Sequence, residues 1–226
     1  MDRQRARLLR AKKIGVLLLN ARELAGKSRR QVAEAIGVKT SKIGSYERGS
    51  QAPSLPELEA IAYFLGFPPE HFLGDELASD APMPPTKPLP LPRLIALRQR
   101  ILAATLRRER ESTGFSVGRL ARAAGLSAGR LRAYEAAEKP IPLPELESIA
   151  EVLGLRIANL LDSDGPLGEW RIKIHQIAAF LELPPELRDF ISKPVNRPYI
   201  ELAQRLSEMS AEKLRAVAEG LLEITL

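Results

Sequence analysis

Shifted against itself by 88 positions, the sequence aligns Ile14–Gly74 with Leu102–Asp162 without a gap. Identities run through the match: Leu18/Leu106, Arg22/Arg110, Glu23/Glu111, Ser28/Ser116, Ala33/Ala121, Gly37/Gly125, Tyr46/Tyr134 and Glu47/Glu135. The run L-P-E-L-E at Leu55–Glu59 returns at Leu143–Glu147. A gapless internal match of this length means a duplicated fold, so whatever the first copy builds, the second builds too. Two copies are too few for a solenoid, and the expectation is two separate globular units.

The most informative stretch of the first copy is Ser28–Gly49, S-R-R-Q-V-A-E-A-I-G-V-K-T-S-K-I-G-S-Y-E-R-G. Ser28 is a preferred N-cap, and a helix opening there sets Val32, Ala33 and Ile36 on one face. Gly37 supplies the left-handed residue that ends it. Val38 fills the corner, and a second short helix over Thr40–Arg48 turns Ile43 and Tyr46 inward. Two short helices around a Gly-containing turn form a helix-turn-helix unit. These residues resemble the Cro/phage-repressor (Xre-type) helix-turn-helix family in three ordered blocks: S-x-x-x-V-A-E-A-x-G-V, I-x-x-Y-E-R-G and P-S-L-x-x-L-x-x-I-A-x-x-L-G.

Around that unit, Asp2 to about Ala25 reads as a helix, and its opening R-Q-R-A-R-L-L-R-A-K-K is either a helical extension or a basic arm. Ser54 and Glu57 make a capping box with Pro56 in the first turn. That helix runs to Leu65, and a short one follows from Pro68 to Leu73. Six of the eleven residues from Pro82 to Pro92 are proline, which favours polyproline II with an upper reach of roughly 34 Å, Leu89 and Leu91 being able to dock it. Residues 166–226 match neither copy. They read as a helix Leu167–Leu181 with Trp170, Ile174, Ile177 and Leu181 on one side, a helix after Pro184, and a last one capped by Ser210. No strand pattern appears. The expected fold is all-α: two five-helix, lambda-repressor-like domains in tandem (1–80 and 93–165), a Pro-rich linker (81–92) and a C-terminal helical region (166–226).

Charge divides unevenly along the chain. Residues 1–74 carry 13 basic and 7 acidic side chains, residues 93–165 carry 12 and 9, and residues 166–226 carry 8 and 9. Positive potential therefore concentrates on the first copy, where a phosphate-binding face needs it. The absence of Cys removes disulfides and thiolate metal sites and fits a cytoplasmic protein. The longest apolar run, Ile14–Leu19, is too short to span a bilayer, so no membrane partner is expected. His71 and His175 stand in no metal-ligand or nucleophile–base spacing, and no Gly-rich phosphate loop occurs. No enzyme activity, catalytic residue, metal or cofactor is expected.

The resemblance implies that the second helix of the unit enters the major groove of double-stranded DNA. Its base-facing positions fall here on Thr40, Ser41 and Ser45, with Arg29, Lys39, Lys42 and Arg48 on phosphate. It also implies a structural pair, Arg22–Glu47, repeated as Arg110–Glu135. In the second copy Ala128, Gly129 and Ala133 replace the three hydroxyls and Val117 replaces Arg29, so base readout is expected to be lost there. Arg119, Arg122, Arg130 and Arg132 are left to hold phosphate or simply to solvate the surface. The implied function is a sequence-specific transcriptional regulator. Because the second copy lacks readers, the second reading head is expected from another chain of a homodimer. Leu214, Val217, Leu221 and Leu222 then either pair the chains or cover the second copy of their own chain. The alternatives are a protein-interaction module and an antitoxin-like autorepressor. No small-molecule effector can be read from the sequence.

Overall fold

The computed structural model describes residues 3–78 and 81–215. These fall into two compact units, Met1–His175 and Gln176–Leu226. The first repeat holds α1 (Arg3–Leu24), α2 (Arg29–Ile36), α3 (Thr40–Glu47), α4 (Leu55–Leu65) and a 3-10 turn at Pro69–Phe72. The second holds α5 (Leu91–Ser112), α6 (Val117–Ala124), α7 (Ala128–Glu135), α8 (Leu143–Leu153) and a 3-10 turn at Ile157–Leu160. Then come α9 (Pro166–Leu181), α10 (Pro185–Ser192), a 3-10 turn at Pro194–Asn196 and α11 (Arg197–Ser207). Among the described residues the fold is all-α.

Several boundaries have a local cause. Ser28 and Ser54 close capping boxes with Gln31 and Glu57, satisfying amide groups that the first helical turn leaves unpaired. Gly37 and Gly125 end α2 and α6 in the left-handed region at φ 73° and 69°. Val32, Ala33, Ile36, Ile43 and Tyr46 all turn inward, as the apolar spacing predicts. The linker is docked: the Met83 amide donates to the Gly66 carbonyl at 2.8 Å, the Tyr63 hydroxyl donates to the Lys87 carbonyl, and Leu91 is buried.

The expectation of two separate globular units is corrected. Both repeats contribute to one continuous apolar core, and the contacts between them exchange under the 88-residue shift. Arg10 on α1 binds Glu147 on α8 at 2.8 Å, while its counterpart Arg98 on α5 binds Glu59 on α4 at 3.2 Å. Arg7 donates to the carbonyls of Ala124 and Gly125, at the end of α6. In the same way α5 lies along α2, with Pro92 against Gly37. Ser54 and Pro142, equivalent positions, meet each other in an antiparallel bridge, the Leu143 amide donating to the Pro53 carbonyl at 2.9 Å. Equivalent residues meet each other only next to a two-fold axis, so the repeats form a pseudo-symmetric pair in which each long helix reaches onto the opposite repeat. The sequence missed this because the exchanged pairs are 39 and 137 residues apart and look like ordinary surface charges.

The smaller unit buries none of its described residues. On α9, Trp170 packs on the core and Ile174 is buried, whereas Ile177 and Leu181 are exposed, so the expected four-residue apolar face is only half used. Leu214 is exposed, and Val217, Leu221 and Leu222 lie outside the described residues.

Glu59 is a buried carboxylate whose cation comes from the other repeat. Arg98→Ala is expected to lower unfolding stability by about 3–5 kcal/mol, because it leaves that charge unpaired. Arg30→Ala, at an exposed pair with Glu34, should not move the urea midpoint measurably. Equal midpoints for the two variants would refute the role given to Arg98.

Candidate nucleic-acid interface

The helix-turn-helix corner of the first repeat is held by Glu47. This buried carboxylate accepts from Arg22 Nε at 2.6 Å and from Arg29 Nε at 2.5 Å, and Arg22 also donates to the Lys27 carbonyl at 2.9 Å. The expected Arg22–Glu47 pair is present, and Arg29, assigned from sequence to phosphate, sits on the same carboxylate. Glu23 also stands 3.7 Å from Arg22, so two cations meet two carboxylates at the corner, and the Arg29 side chain remains 47% exposed. In the second repeat Arg110 binds Glu135 at 2.6 and 2.9 Å and the Phe115 carbonyl at 3.1 Å. Val117 stands in place of Arg29, so this corner has one cation fewer, Arg110 alone facing Glu135 and Glu111.

Lys42 also has an internal partner. Glu57 accepts from Lys42 Nζ at 2.7 Å, from the Tyr46 hydroxyl at 3.1 Å and from the Ser54 amide and hydroxyl at 2.9 Å each. Burial pushes the Glu57 carboxyl up, but the bonds from Lys42 and Ser54 win and hold it below the usual carboxylate range. Burial beside Glu57 raises the Tyr46 phenol far above its ordinary value. The second repeat repeats the motif: Arg130 binds Glu145 at 2.7 Å and the Tyr134 hydroxyl at 2.8 Å, and burial pushes Tyr134 up to about 12.

The remaining assigned residues face outward. Lys39, Thr40, Ser41 and Arg48 are exposed. Lys39 occupies the N-cap position of α3 without capping it, so the amides of the first turn have no side-chain acceptor. Ser127, its counterpart, does cap α7. Arg48 lies back over Gly44, on the stripe that begins at Thr40. Ser45 is half-buried and donates to the Ser41 carbonyl at 3.0 Å, so its oxygen is left as an acceptor for an amino group. The seven assigned residues therefore split in two. Lys39, Thr40, Ser41 and Arg48 form an open edge, Ser45 borders it, and Arg29 and Lys42 are tied to buried carboxylates. Their partners lie 18 and 15 residues away, a separation at which no helical spacing rule works.

Sequence reading left the opening of α1 undecided between an arm and an extension, and it is a helical extension. It carries Arg3, Arg5 and Arg7 into a cleft of about 1230 Å³ that Lys42 and Arg130 also line. Among the described residues no cluster of three or more His, Asp or Glu could hold a metal ion. No described helix is long and apolar enough to cross a membrane.

Lys42→Gln tests the Glu57 assignment. Removing the cation leaves a buried carboxylate short of a partner, an expected loss of about 1–3 kcal/mol at neutral pH. In the native protein Glu57 contributes stability above the usual carboxylate range and loses it as pH falls through its depressed value. The gap between native protein and variant should therefore close in acid, where both carry a neutral Glu57. A gap independent of pH in thermal melts would show that Lys42 does not act through this carboxyl.

No curated protein and no solved structure is similar enough to this chain to count as a match. A family model described as a helix-turn-helix domain matches residues 13–72 and 101–162. These stretches coincide with the two repeats and together make up more than half of the sequence. The chain belongs to the helix-turn-helix domain family, with two copies in tandem.

Proposed function

We propose that the chain is a non-enzymatic, sequence-specific regulator of transcription of the Cro/phage-repressor (Xre) type, acting in the cytoplasm on double-stranded DNA. The observation that carries this reading is the open amino-terminal edge of α3. Thr40 and Ser41 are exposed in its first turn, that turn is uncapped, and the exposed Lys39 and Arg48 flank it. A recognition helix presents its N-terminal residues to base edges in the major groove. Hydroxyls bond to several base edges, and the threonine methyl suits a thymine methyl. Lys39, Arg48 and the half-exposed Arg29 supply salt-sensitive phosphate contacts. Lys42 contributes only what its pairing with Glu57 leaves over. Residues 1–80 are thus assigned the reading role. A homodimer is one source of a second head, and the chain's own second repeat is the other.

A protein-binding reading, as interaction module or antitoxin-like autorepressor, rests on the smaller unit, where Leu187, Phe190, Tyr199 and Leu202 are exposed. Selection of bound sequences from random duplex DNA separates the DNA reading from a pure interaction module, which enriches no motif. An autorepressor enriches one and is told apart by a protein bound to its smaller unit. Replacing Thr40, Ser41 and Ser45 by Ala should then remove preference for the selected site while general binding remains. Each well-formed base contact contributes about 1–3 kcal/mol of discrimination, with single hydroxyls at the low end. An unchanged ratio of specific to scrambled binding would refute the assignment of these three residues.

A further inference from the structure

One five-helix repeat touches too short a stretch of duplex for tight specific binding, and helix-turn-helix proteins commonly gain a second head through two-fold symmetry. This chain contains such an axis internally. We infer, building on the DNA reading above, that a single chain is a complete two-headed clamp for one asymmetric duplex. The first repeat reads one half-site, and the second grips the phosphates of the other without reading bases.

Three observations carry this. The exchanged pairs Arg10–Glu147 and Arg98–Glu59, with the bridge Ser54–Pro142, fix the repeats as symmetry mates. The recognition helices α3 and α7 flank one cleft, since Lys42 and its counterpart Arg130 both line it, as do Glu57 and its counterpart Glu145. Arg3, Arg5 and Arg7 line the same cleft, so five cations face two carboxylates between the heads, a surplus that suits a phosphate backbone.

The third observation is the inequality of the heads. Where α3 offers Thr40, Ser41 and Ser45, α7 offers Ala128, Gly129 and Ala133, and Ser127 caps its amino end. Arg119, Arg122 and Arg132 are nevertheless exposed around it. None of the three is held in an ion pair with a described residue, and Arg119 stacks only on the Phe115 ring. Phosphate contact without base contact fixes position and orientation but carries no sequence information. The resulting site is informative in one half and featureless in the other, unlike the palindrome of a homodimer.

The test uses the full chain and the duplex recovered by selection. Sedimentation should give one chain per duplex, and chemical protection should cover two half-sites on one face. Scrambling the half under the second repeat should change affinity by no more than about twofold, because its phosphates remain. Trimming that half away should cost on the order of tenfold or more at moderate salt. Arg119→Gln combined with Arg122→Gln and Arg132→Gln should flatten the log–log salt dependence by roughly 2–3, at about 0.9 per phosphate, without altering the preferred sequence. Two chains per duplex on a palindromic site, or full affinity for the trimmed duplex, would overturn the inference while leaving DNA reading by the first repeat intact. Failure to enrich any duplex would defeat the DNA reading itself, and the clamp with it.

Discussion

The buried carboxylate of Glu59 ties the two repeats together. It accepts from Arg98 across the interface and from the Asp162 amide at 2.5 Å, and Arg98 in turn donates to the Leu160 carbonyl at 2.7 Å. Burial pushes the Glu59 carboxyl above its ordinary range, against the pull of Arg98. A charge in such a place is tolerated only while its partner stays put, which makes the interface intolerant of sliding. Its symmetry mate, Arg10–Glu147, is partly open to solvent, with Arg10 also donating to the Leu73 carbonyl at 2.9 Å. The axis is therefore approximate: one side is locked by a dry ion pair and the other by a wetter one.

That inequality extends to the helix-turn-helix units. Both preserve the arginine–glutamate corner and the tyrosine–glutamate bond, which set the angle between the helices. What differs is what faces outward. The first repeat keeps a second arginine at its corner, an uncapped α3 and short polar groups. The second has one cation fewer at its corner, a capped α7 and small apolar groups. The second copy even tolerates left-handed backbone at Ala137, φ 57°, where the first has Gly49 at 66°, a conformation that costs a side-chain-bearing residue about 1–2 kcal/mol. The framework is thus shared between the repeats, while the groups facing outward are not.

The two repeats were legible one at a time because their signals are local. Ser28 with Gln31, Ser54 with Glu57, Gly37 and Gly66, and the inward stripe of Val32, Ile36, Ile43 and Tyr46 all act within one or two helical turns. The gapless shift carried the Ser28 cap, the glycine stops and the inward stripe to the second copy, at Ser116, Gly125, Gly154, Leu120, Ala124, Leu131 and Tyr134. It did not carry the Ser54 cap, whose place Pro142 takes. The open edge at Lys39, Thr40, Ser41 and Arg48 was readable for the same reason, since its exposure follows from facing away from that stripe.

Pairing across long separations was not readable. Arg29 and Lys42 look like free surface cations until tertiary structure brings Glu47 and Glu57 beneath them. Likewise Arg7 and Arg10 look like part of a solvated helical face until α8 and the end of α6 arrive. The sequence by itself determined the helices, the serine and glycine caps, the duplication and the absence from the second copy of the hydroxyls at Thr40, Ser41 and Ser45, because each depends on residue type and short spacing. Only the tertiary structure decided that the copies form one pseudo-symmetric body, because complementarity between surfaces far apart in the chain has no period to betray it.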